Sequence, residues 1–86
     1  MTHLEAVPYY PRNPKILARE ICNLRYDAMS LLFASICSEL RTDSVKDYNA
    51  RKTQLAKILE DVAFACAEAS MQADNAWSIC EPHMKE

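Results

Sequence analysis

Small and apolar residues repeat at alternating steps of four and three along the second half of this chain. The positions are Leu55, Leu59, Val62, Cys66, Ala69, Ala73, Ala76 and Cys80. A repeat that averages 3.5 residues puts one apolar stripe along one side of a long helix. The 86 residues contain no glycine, and no proline lies between Pro14 and Pro82, so no strong helix breaker interrupts this stretch. The pattern predicts a long helix with one side to bury.

A second apolar repeat with the same spacing lies in the first half of the chain, at Leu17, Ile21, Leu24, Ala28 and Leu31. Asn13 followed by Pro14 is a favoured pair for the N-cap and the first position of a helix. We therefore predict helix one over residues 14–40. Prolines at 8 and 11 bias residues 1–13 toward an irregular N-terminal arm.

A short turn is expected at Arg41–Asp43, followed by helix two over residues 44–79. Asp43 or Ser44 is a suitable N-cap for helix two, and Pro82 prevents it from continuing much further. So short a connection requires the two helices to run antiparallel. The fold class predicted is all-α, with residues 1–86 forming a single domain.

Two long rods enclose no core of their own, so this hairpin is expected to assemble with copies of itself into a homo-oligomeric helical bundle. The apolar residues left outside the stripes would form an exposed patch too large for a stable monomer. They are Phe33, Ile36, Phe64, Met71 and Trp77. Alanines along helix two would allow a partner helix to approach closely. We expect a symmetric dimer of hairpins or a larger ring.

Charge and composition narrow the classes of partner. The net charge of −2 disfavours a DNA-binding protein, which would usually be strongly basic. No apolar run reaches the roughly 20 residues that a membrane-spanning helix needs. The first eight residues lack the features of a signal peptide, so a cytoplasmic location is expected.

The chain carries no enzyme signature, and we predict that it is not an enzyme and needs no cofactor. A phosphate-binding loop rich in glycine cannot form without glycine. The two histidines, His3 and His83, lie near the ends, and the spacing places neither beside a cysteine as a catalytic base. The four cysteines form no C-x-x-C pair and are interpreted as reduced, structural thiols. No metal site is predicted, because Cys80 and His83 supply too few ligands.

One region stands out against the acidic background: residues 9–26 hold three tyrosines and four cations, with Glu20 opposing them. On a helix, Lys15, Arg19, Asn23 and Tyr26 would share a face. Arginine and lysine form charge-assisted bonds to phosphate, and tyrosine rings offer surfaces on which bases stack. This region could close on a small nucleotide. The alternatives stay open at this stage: Tyr26 could pack at an interface, and the cations could form an ordinary solvated face.

The chain resembles the anti-CBASS nucleotide sponges, small phage proteins that sequester the cyclic-nucleotide signals of bacterial CBASS defence. Members carry a tyrosine in the N-terminal arm and a lysine about fifteen residues later on the first long helix. Here Tyr10 and Arg25 are fifteen residues apart. Arg25 follows an Ile21-Cys22-Asn23 stretch that is similar to the apolar-Asn step of the family. The run from Arg51 to Ala65, RKTQLAKILEDVAFA, is similar in its pattern of apolar and charged residues to the second helix of the family.

The resemblance implies an assembly of helical hairpins, typically a hexamer, that holds a cyclic di- or trinucleotide in pockets between subunits. It implies that Tyr10 stacks on a base and that Arg25 holds a phosphate. Asn13, Lys15 and Arg19 would add polar contacts, and a neighbouring subunit would complete the pocket. The expected function is sequestration without chemistry. The alternative function is a small protein-interaction module, such as a phage inhibitor of a host protein, acting through the apolar patch.

Overall fold

The computed structural model describes residues 14–83, and all regular structure within that range is helical. Helix α1 comprises Pro14–Ile21, α2 comprises Tyr26–Asn49 and α3 comprises Thr53–Cys80; a 3-10 turn, Glu81–His83, follows. The prediction of an all-α chain is therefore confirmed for this range. The predicted arm, 1–13, lies outside the described residues. None of the described helices has the length and apolar character needed to cross a membrane.

Helices α2 and α3 lie side by side and run in opposite directions. Near one end, the Ser30 and Ser70 hydroxyl oxygens are 2.9 Å apart, and the Ser70 hydroxyl also lies 2.9 Å from the Ser30 carbonyl oxygen, to which it donates. Near the other end, the Ser44 hydroxyl donates to the carbonyl oxygen of Ala56 at 2.7 Å. An early residue of α2 thus meets a late residue of α3, and a late residue meets an early one.

The seam between these helices is made of small residues at steps of seven. Ser30, Cys37 and Ser44 are the buried residues of α2. On α3, buried Ala56 and Ala63 and half-buried Ser70 lie opposite them. The two sets mirror each other about Ala50, so each α2 position has a counterpart at the same level of α3. Because the interaxial distance depends on the side chains at the contact, side chains this small bring the two backbones close together.

The predicted stripe of helix two lies one position to the side of this seam. Six of the eight stripe positions are buried or half-buried as expected: Leu59, Cys66, Ala69, Ala73, Ala76 and Cys80. The other two, Leu55 and Val62, are 47% and 44% exposed, whereas the neighbouring Ala56 and Ala63 are only 4% and 0% exposed. The apolar pattern predicts burial of the larger residues, Leu55 and Val62. The alanines beside them are buried instead, because the two helices lie too close together for larger side chains.

The predicted turn at Arg41–Asp43 was wrong, since α2 continues through it to Asn49. The chain instead reverses at Ala50–Lys52. There the Lys52 N–H donates to the Asp47 carbonyl at 2.8 Å and the Arg51 N–H to the Tyr48 carbonyl at 3.0 Å. These are the two bonds of a Schellman motif. Its left-handed residue is Arg51, with φ of 66°, a position that usually belongs to glycine. Because no glycine marks this left-handed position, the sequence pattern did not indicate where the chain turns.

The proposed capping role of Ser44 was wrong for the same reason. Ser44 lies inside α2 and is buried against α3, where its hydroxyl bonds to Ala56. Helix two accordingly begins at Thr53 rather than at residue 44, while its end at Cys80 lies one residue from the predicted end at 79.

Helix one is also interrupted, which the sequence analysis did not predict. Cys22 still donates to the Ala18 carbonyl as in an α-helix, but the Asn23 and Leu24 N–H groups bond to carbonyls only three residues earlier. Arg25 then adopts an extended conformation, with φ −56° and ψ 150°, and α2 starts after it. No glycine or proline marks this break. Asn23 favours it locally, because a short amide side chain competes with helical hydrogen bonds.

The described residues bury no large side chain. The buried apolar residues are Cys37, Ala56, Ala63 and Ala73, and the buried polar residues are Ser30 and Ser44. Large apolar residues remain exposed on both broad sides of the α2–α3 pair, among them Leu31 at 69%, Phe64 at 59% and Ile58 at 58%. Complete burial of one such side chain is worth about 1.5–3 kcal/mol, so the isolated chain forgoes much of its available stabilisation.

Replacing Ala63 by leucine should destabilise the fold. Ala63 is fully buried in the seam, and extra methylene groups would push α2 and α3 apart. We expect a loss of about 1–3 kcal/mol in the free energy of unfolding, measured by urea denaturation at fixed protein concentration. Ala65→Leu, on an exposed position of α3, is the matched control and should change the free energy by less than about 0.5 kcal/mol. Equal losses of free energy in the two variants would contradict the assignment of Ala63 to the seam between α2 and α3.

Replacing Arg51 by glycine should stabilise the fold. Arg51 has a positive φ, which costs a residue with a Cβ on the order of 1 kcal/mol. We expect the free energy of unfolding to increase by up to about 1 kcal/mol, measured as a higher midpoint of urea denaturation. Lys46→Gly, within α2, should lower the stability by about 1 kcal/mol. A loss of stability in Arg51→Gly would show that this turn does not form in solution.

Candidate functional site

The bend between α1 and α2 holds a cation, and an aromatic ring of α3 lies against that cation. Arg25 occupies the N-cap position of α2, and Tyr26 is the first residue of that helix and is 41% exposed. The guanidinium carbon of Arg25 lies 5.1 Å from the centroid of the Trp77 ring, within the range of a cation–π interaction. We call these three residues the bend cluster.

Trp77 reaches the bend cluster because of the antiparallel register. The mirror relation about Ala50 places Trp77 of α3 level with Asn23, directly beside the bend. The sequence pattern predicts Trp77 in the exposed apolar patch, but the structure shows it half-buried. Its place beside Arg25 could have been found only with the correct turn position, because a turn at 41–43 pairs different residues.

Asp27 fixes the orientation of Arg25. The Nε and Nη2 atoms of Arg25 donate to the two carboxylate oxygens of Asp27 at 3.0 and 2.7 Å, so the pair is bidentate. Asp27 Oδ1 also accepts the Ala28 N–H at 2.9 Å, which satisfies a donor in the first turn of α2. The hydrogen bond from Arg25 is the main reason that the pKa of Asp27 is lowered from its ordinary value of 3.8.

The remaining predicted site residues divide between α1 and the undescribed arm. Lys15 and Arg19 are exposed on α1, four residues apart and therefore on one face. Tyr10 and Asn13 lie outside the described residues. The predicted face that Lys15 and Arg19 would share with Asn23 and Tyr26 was wrong, because α1 ends at Ile21 and Tyr26 begins α2. The structure adds Asp27 and Trp77 as contacts of Arg25, while the relation of Tyr10 to Arg25 stays a prediction.

The bend cluster offers an anionic aromatic ligand two kinds of contact. The side chain of Arg25 is 62% exposed, so a ligand in solvent can reach it despite the ion pair. Asp27 accepts two of the five guanidinium N–H donors, so the others can bind a phosphate, and a base could stack on an exposed tyrosine. Among residues 14–83, no three His, Cys, Asp or Glu side chains come together to hold a metal ion.

A second candidate surface lies along one broad side of the α2–α3 pair. Three shallow depressions of about 300, 340 and 310 Å³ follow one another there and share residues where they meet. Val45 and Glu60 line the first two depressions, and Phe64 lines the second and third. We call this side the groove face; its large apolar residues are Leu31, Val45, Tyr48, Phe64 and Met71, exposed by 59–69%.

The apolar patch predicted from the sequence is therefore divided. Phe64 and Met71 belong to the groove face, Ile36 lies on the opposite side of the pair, and Phe33 and Trp77 are half-buried at the seam. The opposite side, which we call the back face, also exposes Leu55, Ile58 and Val62.

Comparisons of the chain with known protein families, with curated proteins and with solved structures each find no match.

Acid should release Arg25 from Asp27 and alter the fluorescence of Trp77, the single tryptophan of the chain. Because the pKa of Asp27 is lowered by folding, the stabilisation from this pair is complete above 3.8 and is lost as the pH falls through the lower, folded-state pKa. We expect the Trp77 emission to change in that acid range in the native chain. The emission should be read alongside helix content measured by circular dichroism.

Asp27→Asn is the matched variant for this titration. It removes the charge that holds Arg25, so its emission at neutral pH should resemble that of the acidified native chain and should lack the acid transition. Lys57→Ala, which removes the cation that pairs with Asp61 on α3, should leave the transition in place. An unchanged transition in Asp27→Asn would contradict the assignment.

Proposed function

We propose that the protein binds cyclic oligonucleotide immune signals and sequesters them without chemistry, in the manner of the anti-CBASS sponges that its sequence resembles. The observation that supports the proposal is the bend cluster, where Arg25 lies against Trp77 and next to exposed Tyr26. A cation for phosphate and aromatic surfaces for bases are the two chemistries that such a ligand requires. Bound signal would be unavailable to a host effector, in the cytoplasm of the host cell.

In this proposal Arg25 contacts a phosphate, Tyr10 stacks on a base, and Asn13, Lys15, Arg19 and Tyr26 line the site. The α2–α3 pair acts as a hairpin unit that assembles into a homo-oligomer, and a neighbouring subunit closes the pocket over the exposed bend. Asp27 then holds Arg25 in place before the ligand arrives, which reduces the ordering cost of binding. Nanomolar affinity corresponds to about 12 kcal/mol, and a few charge-assisted bonds with stacked bases in a closed pocket can supply it.

A thermal-shift screen with cyclic di- and trinucleotides tests the proposal. We expect one of them to raise the melting temperature by several degrees, because a ligand bound only to the folded state stabilises it. The ligand should be recovered intact after the protein is denatured, as sequestration without chemistry requires. Absence of a shift with every cyclic nucleotide would refute the proposed ligand class.

Two variants connect the shift to the bend. Tyr10→Ala and Arg25→Ala should each abolish the shift while the mass of the oligomer stays the same. Lys46→Ala is the control, since Lys46 is an exposed cation near the other end of α2 and should leave the shift intact. A shift that survives both Tyr10→Ala and Arg25→Ala would move the ligand to another site.

The exposed apolar faces support one other candidate function, a protein-interaction module. Val62 and Ile58 on the back face are 44% and 58% exposed, a surface typical of protein contacts. A module of this kind would ignore nucleotides and would bind a single host protein, whose capture should be lost in Ile58→Glu.

A further inference from the structure

The groove face carries a pattern of charge and apolar groups that is complementary to itself. Arg41 of α2 and Glu60 of α3 lie at the same level of the pair and line the same depression. Within residues 14–83, neither joins an ion pair, whereas nearby Lys57 is already bound to Asp61 at 2.8 Å. Apolar residues lie on both sides of this charged level: Leu31, Phe64 and Met71 toward the bend, Val45 and Tyr48 toward the turn.

We propose that the groove face binds the groove face of a second copy of this chain, about a two-fold axis parallel to the helices. That axis places α2 of one copy over α3 of the other without any shift in level. Arg41 then lies opposite Glu60 of the partner subunit, and Leu31 lies opposite Met71 of the partner subunit. Each contact forms twice, as a two-fold interface requires.

The arrangement also satisfies helix packing. Because α2 and α3 are antiparallel within one chain, laying α2 over the partner's α3 makes every neighbouring pair in the resulting four-helix bundle antiparallel. The large residues of the groove face then form the core that the small-residue seam does not provide.

The area is sufficient for a stable dimer. The face extends over about 20 residues of α2, or about 30 Å at 1.5 Å per residue, and spans two helices of about 10 Å each. Each copy therefore contributes on the order of 600 Å², which gives about 1,200 Å² in total and reaches the lower bound for specific interfaces. The inference deepens the proposed function, since it names one interface of the homo-oligomer on which that function rests. The two are tested separately, because the thermal shift reports the ligand and sedimentation reports the interface.

Two matched variants on α3 distinguish the groove face from the back face. Phe64 on the groove face and Ile58 on the back face are 59% and 58% exposed, so glutamate at either position is equally open to solvent in the isolated chain. Sedimentation at micromolar concentration should give the native chain a mass of twice 9.8 kDa, or a multiple of that dimer. Phe64→Glu should halve the mass of the basic unit, and Ile58→Glu should preserve it.

A charge-reversal experiment tests the register. Arg41→Glu alone and Glu60→Arg alone each place like charges opposite one another, and each should raise the dimer dissociation constant about tenfold or more. An equimolar mixture of the two variants restores opposite charges only across the interface, since within each chain positions 41 and 60 still repel. The mixture should therefore form a heterodimer more tightly than either variant associates alone.

Three results would overturn the proposal. One is a native chain that sediments as a 9.8 kDa monomer at micromolar concentration. Another is dissociation of the dimer by Ile58→Glu but not by Phe64→Glu, which would assign the interface to the back face. The last is a mixture of charge variants that associates no better than its components. If Phe64→Glu fails to fold, as circular dichroism would reveal, the mixture of the two charge variants still tests whether the groove faces bind each other.

Discussion

The close approach of α2 and α3 is the interaction on which the rest of this structure depends. It is possible because the buried residues of the two helices are all serine, cysteine or alanine. Ala63 at the centre is fully buried, and the serines of α2 near the two ends of the seam bond across the interface to α3. Those hydroxyls also fix the register, because a shift of either helix would leave a buried hydroxyl without its partner.

A seam of small residues has a consequence for stability. Small side chains bury little apolar area, so the pair gains closeness of packing but forgoes the hydrophobic free energy of a core built from leucine and phenylalanine. The large apolar residues are therefore left on the groove face and the back face. Within residues 14–83, these large side chains therefore have no core of their own in which to be buried.

The same register creates the bend cluster. Because α3 is long enough to extend past the start of α2, Trp77 arrives beside Arg25 at the point where helix one breaks. Asp27 then holds the guanidinium with two hydrogen bonds and caps the first turn of α2. One short segment thus combines a helix start, an oriented cation and an aromatic ring, which is why the proposed binding site lies there.

The sequence by itself determined that the chain is helical, because apolar spacing near 3.5 residues and the absence of glycine favour no other structure. It also located Arg25 and Tyr26 as candidates and identified residues that stay exposed, such as Phe64 and Met71. Only the tertiary structure decided where helix one breaks, where the chain turns and which stripe is buried. The physical reason is that each of these depends on a partner: Arg51 accepts a left-handed conformation, Ser44 becomes an interior residue and Ala63 replaces Val62 in the seam only once the facing helix is in place.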